Sequence, residues 1–210
     1  MRYFRTPAAL PWLFTRWEWR VAPKGSEKSV YLTFDDGPMP GPTDFVLHEL
    51  ARADAKATFF CIGDNVRKHP DTFQSVLQAG HRVGNHTYHH VRGWGRSVGS
   101  YLEETQACAD LLPVEAVPLF RPPYGRITLA QSRQLRKAGY RIVMWDVLTC
   151  DYDPTLDTAD ALVRICRATR PGSIVVFHDS LKAEPQLRAM LPGYLKFLQA
   201  EGYAMKSLPE

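Results

Sequence analysis

Two carboxylates stand side by side at Asp35-Asp36, and two histidines stand four residues apart in the run His86-Thr87-Tyr88-His89-His90. Adjacent carboxylates repel unless a cation or an arginine shares their site, so the pair predicts a metal. On a helical turn, residues four apart face the same way. His86 and His90 with one carboxylate then make a His-His-Asp set, which leaves coordination positions open for water and substrate. Zn2+ suits these donors best, and Co2+ or Ni2+ can take the same ligands. Gly84-Asn85 before the histidines and Gly93 and Gly95 after them place the turn on a loop. Taken alone, the two histidines would be equally well explained as surface residues.

Two further segments carry chemistry. In Phe120-Arg121-Pro122-Pro123-Tyr124-Gly125 the prolines fix the backbone. Arg121 can pair with a carboxylate and hold it ionised, while a rigid Tyr124 amide can donate to an oxyanion. Ile174-Val175-Val176-Phe177-His178-Asp179 reads as a buried strand ending in a histidine suited to general acid or base work near neutrality.

The elements that must position these groups alternate along the chain. Val30, Leu32 and Phe34 alternate with Tyr31 and Thr33, the period of a strand with one packed face. Strands are expected at 29–34, 57–62, 81–85, 118–121, 140–147, 173–177 and 203–207. Thr43, Pro70-Asp71 and Thr128 open helices between them, and Gly80, Gly139 and Gly202 close helices. Repeated strand–helix units imply parallel strands with right-handed crossovers. Seven of them predict an α/β fold, a (β/α)7-type barrel, closed or slightly open, in preference to a flat doubly wound sheet, with its active site at the C-terminal strand ends. Asp35-Asp36, His86, Arg121, Asp146 and His178 all fall at or near such ends.

The totals fit that reading. A chain of 210 residues holds one domain with a full core. A net charge of +4 without a dense basic block gives no support for a nucleic-acid partner. Four scattered cysteines, Cys61, Cys108, Cys150 and Cys166, suit a reducing compartment. The apolar run Ala8 to Phe14 is interrupted by Pro11 and followed by Arg16-Trp17-Glu18-Trp19-Arg20, which fits neither a signal peptide nor a spanning helix. The expectation is a cytoplasmic protein, with residues 1–28 as a segment packed on a catalytic domain of residues 29–210. Packing is the commoner use of its tryptophans; a membrane-surface or sugar-stacking patch is the alternative. Membrane contact and oligomeric state stay open.

Together, Thr33-Phe34-Asp35-Asp36-Gly37, His86-Thr87-x-x-His90, Arg121-Pro122-Pro123-Tyr124 and Phe177-His178 resemble the polysaccharide deacetylases of carbohydrate esterase family 4. The resemblance runs from about Val30 to His178. It implies a distorted (β/α)7-type barrel and metal-dependent hydrolysis of N-acetyl, sometimes O-acetyl, groups on amino-sugar glycans or oligosaccharides. Carried over, Asp36, His86 and His90 would hold the metal and Asp35 would be the general base, positioned by Arg121. The Tyr124 amide would bind the oxyanion and His178 would protonate the leaving amine. Pro123, Tyr124, Trp145, Tyr152 and Phe177 would line the substrate site.

One motif departs from the family pattern. Leu148 stands where an Asp that tunes the catalytic histidine is usual, and Tyr152 where a Trp is usual. Asp146 shares a strand face with residue 148 and is expected to take the tuning role, ahead of Asp151 or Asp179. A metal-dependent amidase for a small or cyclic amide is the first rival, and a non-catalytic glycan-binding module the second. A phosphatase with Asp35 as nucleophile would want a second Asp at position 37, where Gly37 stands.

Overall fold

The structure is a computed structural model that describes residues 3–23, 25, 27–114 and 119–209. Among the described residues eight strands form one sheet: β1 (Ser29–Asp35), β2 (Thr58–Cys61), β3 (Arg82–Asn85), β4 (Leu119–Phe120), β5 (Arg141–Ile142), β6 (Val147–Leu148), β7 (Ile174–His178) and β8 (Ala204–Lys206). Their order is β5-β4-β3-β2-β1-β7-β6, every pairing is parallel, and β8 pairs with the first three residues of β1. The two ends of that path, β5 and β6, are consecutive in the chain. The strand expected at 140–147 is therefore one strand that changes partner. Val143 N–H still donates to Phe120 of β4 (2.8 Å), and Asp146 N–H already donates to Ile174 of β7 (3.0 Å). This switch joins the ends of the sheet into the expected distorted barrel. Pro118, the expected first residue of the fourth strand, lies outside the described residues.

Among the described residues eight α-helices accompany the strands: α1 (Ala9–Leu13), α2 (Pro42–Arg52), α3 (Gly63–Lys68), α4 (Pro70–Gln78), α5 (Val98–Ala109), α6 (Leu129–Lys137), α7 (Thr158–Ala168) and α8 (Glu184–Ala200). The expected Thr128 cap is present: its hydroxyl accepts from Gln131 N–H while the Gln131 side chain accepts from Thr128 N–H. No described helix is long and apolar enough to cross a membrane. All four cysteines are free, three of them buried.

The period of β1 has a different cause from the one expected. Thr33 is fully buried, as are Leu32 and Phe34. Strands of a parallel sheet are covered on both faces. The alternation in β1 separates two buried environments instead of core from solvent. Phe34 stacks on Phe59 and Phe177 in the apolar layer that includes α2 and α8. Thr33 and Asp35 share the other face, where Arg121 reaches both. The register Asp35↔His178 sets the chemistry of β1 beside that of β7.

The N-terminal segment lies along the strand that changes partner. Thr6 N–H donates to Asp146 (2.9 Å), Leu148 N–H to Phe4 (3.1 Å) and Glu18 N–H to Ile142 (2.8 Å). Arg141 closes the contact with two bonds to the Glu18 carboxylate, 2.7 and 2.8 Å. Trp19 is buried, whereas Trp12 is 77% exposed.

Candidate active site

Arg121 is the floor of the site. Its side chain is fully buried with its guanidinium over the Phe60 ring, 4.1 Å from the centroid. It donates to Asp35 Oδ1 (2.7 Å), Thr33 Oγ1 (2.7 Å), the Met144 carbonyl (2.9 Å) and the Val143 carbonyl (3.3 Å). A buried cation needs such a set of acceptors. Burial would raise the pKa of Asp35, yet the Arg121 charge, with His86 and His178 behind it, holds the carboxyl below its ordinary value. Asp35 is therefore an ionised carboxylate with one oxygen committed to Arg121.

Asp36 points the other way because its backbone is left-handed (φ 79°). Its Oδ1 lies 3.1 Å from His90 Nε2 and 3.7 Å from His86 Nε2, and the three donor atoms fall within 4.8 Å of one another. The His86 Nδ1–H donates to the Arg121 carbonyl (2.8 Å), which turns its Nε2 lone pair toward Asp36. Burial pushes the His86 pKa down to about 4, so the ring is neutral at pH 7. Asp36 Oδ1 is buried with no hydrogen-bond partner among the described residues. An orphan carboxylate oxygen facing imidazole nitrogens is a set of acceptors without a donor, and a divalent cation fits it.

His86 and His90 do not share a helical turn, which corrects the basis of their pairing. They lie on an irregular loop in which Thr87 (φ 64°) and His90 (φ 54°) are left-handed. Thr87 N–H donates to Asn85 Oδ1, and Val91 N–H donates to Thr87 Oγ1. Those side-chain bonds bring the two rings together, 5.0 Å between centroids. Left-handed backbone is costly outside glycine, about 1–3 kcal/mol per residue. Among the described residues it occurs at Asp36, Asp54, Thr87, His90, Tyr124 and Cys150, and all but Asp54 flank this site.

His178 ends β7 within the same cleft. Its Nδ1–H donates to Asp151 Oδ1 (2.6 Å), and its backbone N–H donates to Asp151 Oδ2 (2.8 Å). Burial would lower the pKa of His178, but the charge and hydrogen bond of Asp151 outweigh it and push the value up to about 9.

Asp146, expected to tune His178, does not touch it. Asp146 precedes β6, beside Ile174 at the start of β7, whereas His178 is the last residue of that strand. Four residues of strand span about 13 Å. Asp146 is instead held by Arg170 (2.9 and 3.0 Å) and Ser173 Oγ (2.7 Å). Asp151 follows β6 and so reaches the end of the barrel where His178 lies.

The cleft, of about 660 Å³, is lined by Asp35, Asp36, His86, His90 and His178, and by Tyr124, Trp145, Leu148 and Tyr152 on its walls. The Tyr152 ring stands edge-on to His178, and the Tyr124 ring lies 4.6 Å from His90. Two expected lining residues are elsewhere. Phe177 is fully buried against Phe34 and Tyr194, because alternation along β7 turns Val176 and His178 to the cleft. Pro123 is buried, and Pro122 lines the cleft in its place. Asn65, Arg126, Ser180 and Lys182 also line it and carry no sequence signal of their own.

Gly37 shows how the turn after β1 is held. A Cβ there would collide with the Asp179 carboxylate, which accepts from Gly37 N–H (3.0 Å) and Thr43 Oγ1 (2.6 Å).

A family model described as polysaccharide deacetylase matches residues 22–143. A peptidoglycan-N-acetylglucosamine deacetylase of Bacillus cereus is 33% identical over 201 residues, 91% of each chain. A chitooligosaccharide deacetylase of Azorhizobium caulinodans is 32% identical over 200 residues, covering 88% of this chain and 94% of its own. The crystal structure of a peptidoglycan N-acetylglucosamine deacetylase in complex with an N-oxidanyl-benzamide superimposes with a TM-score of 0.87 at 26% identity, covering 97% of this chain and 95% of that one. Sequence, motifs and barrel agree: the chain belongs to the polysaccharide deacetylase family.

Proposed function

We infer that this protein is a metal-dependent deacetylase that hydrolyses N-acetyl groups of an amino-sugar glycan or oligosaccharide. The observation that carries the reading is the orphan Asp36 oxygen facing His86 and His90, with the ionised Asp35 beside it. Asp36, His86 and His90 would hold a zinc ion, on the chemistry of a two-imidazole, one-carboxylate donor set. When bound, such an ion supplies Lewis acidity, lowering the pKa of a water and stabilising negative charge.

The chain's own groups do the rest. Asp35, kept ionised by Arg121, takes the proton of the attacking water. The Tyr124 amide, fixed by Pro122-Pro123, donates to the developing oxyanion. His178, kept protonated by Asp151, donates to the departing amine nitrogen. Trp145, Tyr124 and Tyr152 offer aromatic faces to sugar rings. Residues 29–210 form the catalytic domain and 1–28 the segment packed on it. The four unpaired cysteines support a reducing, cytoplasmic location.

Acetate release from N-acetylglucosamine oligomers, peptidoglycan fragments and acetylated xylan, with and without chelator and added zinc, tests this reading. Chelator-sensitive release from an N-acetylated glycan is expected. Silence on the whole panel with zinc bound would favour a small-molecule amidase instead.

A further inference from the structure

The catalytic cleft continues into a second depression through Tyr124, Trp145 and Leu148. This groove, of about 560 Å³, runs between the N-terminal segment and the loop after Tyr124. Leu10, Phe14, Ile127, Leu129 and Met144 line it, and it shares Tyr124, Trp145 and Leu148 with the catalytic cleft. Leu148, where the family usually carries an Asp, is thus an apolar wall common to both. Phe14 is held by stacking on Trp17 (4.4 Å), whose Nε1–H donates to Ser132 Oγ of α6 (2.7 Å), so this side of the groove is built in place. Leu129 remains 67% exposed at the rim.

Next to the groove, sharing Trp94 and Tyr124 with it, lies a basin of about 650 Å³ lined by Arg92, Arg96 and Arg126, with no carboxylate among the described residues that line it. It shares His90, Tyr124 and Arg126 with the catalytic cleft. Arg126 is braced over the Trp94 ring, 5.3 Å from its centroid. A concave apolar groove and an arginine basin meeting at one catalytic cleft match a ligand with an apolar chain, an anionic group and a sugar. A flat bilayer would instead meet a protruding face.

Resting on the deacetylase reading above, we propose that the substrate is an N-acetylated amino sugar joined through a phosphate to a long apolar chain. The chain lies in the groove between the N-terminal segment and Leu129, and the phosphate lies in the arginine basin.

Three substrates test this with the zinc-loaded full chain: N-acetylglucosamine 1-phosphate, N-acetylglucosaminyl citronellyl phosphate and a water-soluble N-acetylglucosamine oligomer. The citronellyl compound is expected to exceed the sugar phosphate in kcat/KM by at least about tenfold, which burial of two methylene groups suffices to supply. Leu10→Ser with Leu129→Ser should erase that advantage and leave the rate on the oligomer unchanged. Arg92→Gln with Arg96→Gln should slow both phosphates and spare the oligomer. Equal kcat/KM for the two phosphates in the wild type would overturn the proposal. If no substrate releases acetate, the deacetylase reading fails, and quenching of tryptophan fluorescence by citronellyl phosphate alone decides the groove. Saturable quenching lost in the leucine double variant supports it, and no quenching overturns it. Sedimentation with sugar-free phosphatidylglycerol vesicles that the double variant abolishes, without a chain preference in catalysis, would make the groove a bilayer contact and also overturn it.

Discussion

Asp151 grips His178 at two points, taking the ring Nδ1–H at 2.6 Å and the backbone N–H at 2.8 Å with its two carboxylate oxygens. The ring is thereby fixed with Nε2 free, and its proton is held more firmly than burial alone would allow.

Replacing that carboxylate has a signed effect on the pH profile. A general acid works only while protonated, so activity falls as pH rises through its pKa. In Asp151→Asn the raising influence is gone and burial lowers the His178 pKa, so the alkaline limb of kcat/KM moves to lower pH. Turnover drops about 10²-fold or more. Stability follows the same linkage. His178 has a folded pKa of about 9 against an ordinary 6.5. Its contribution is fully present below pH 6.5 and is lost as pH rises through about 9. Denaturation of the chelator-treated protein across that window should show the slope in the wild type and lack it in the variant.

Asp146→Asn should do the opposite. It removes the bonds from Arg170 and Ser173 far from His178, lowering stability by about 1–3 kcal/mol. The limbs of the pH profile should stay where they are. A shifted limb would put Asp146 back in the catalytic machinery.

Arg121→Met should leave Asp35 buried without its counter-charge and cost about 3–5 kcal/mol in chemical denaturation. Adding Asp35→Asn should recover part of that loss, because the uncompensated charge is then gone. Additive losses would mean that the pair is not coupled.

Gly37→Ala should move either the Asp179 carboxylate or the turn that carries Asp36, since no room exists for a Cβ between them. A destabilisation of about 1–3 kcal/mol is expected from such crowding. Weakened zinc affinity, read by competition with a chromophoric chelator, should accompany it.

The donor set was legible in the sequence because its residue types are unusual together. Paired aspartates, spaced histidines and an arginine before two prolines have few other joint uses. The barrel was legible from alternating strand and helix marks. Other features depend on what lies across the fold. Strand-face periodicity pointed to Asp146, but the strand changes partner at residues 143–146, and only its far side reaches His178. Alternation in β1 suggested a solvent face, because a buried polar interior holding Thr33 and Asp35 leaves the same pattern. Phe177 and Pro123 lie off the cleft because a family motif fixes residue types, not which side of a strand or turn each side chain takes. The groove beside the cleft is made by residues more than a hundred positions apart, such as Leu10 and Leu129, and has no local signature.

Asp35→Asn separates chemistry from binding. It should bind zinc as the wild type does, measured by calorimetry, while losing turnover by about 10²-fold or more. Full activity in this variant would remove Asp35 as the base.

In the proposed reaction Asp36, His86 and His90 hold one catalytic cation. The most direct test is a zinc titration of the chelator-stripped wild type, following bound metal and acetate release from an N-acetylglucosamine oligomer together. Activity should rise in step with zinc and level off at one ion per chain, with Asp36→Ala and His86→Ala taking up neither. Acetate release at full rate from the stripped protein would mean that no cation is needed, and undiminished zinc binding by Asp36→Ala would place the cation elsewhere.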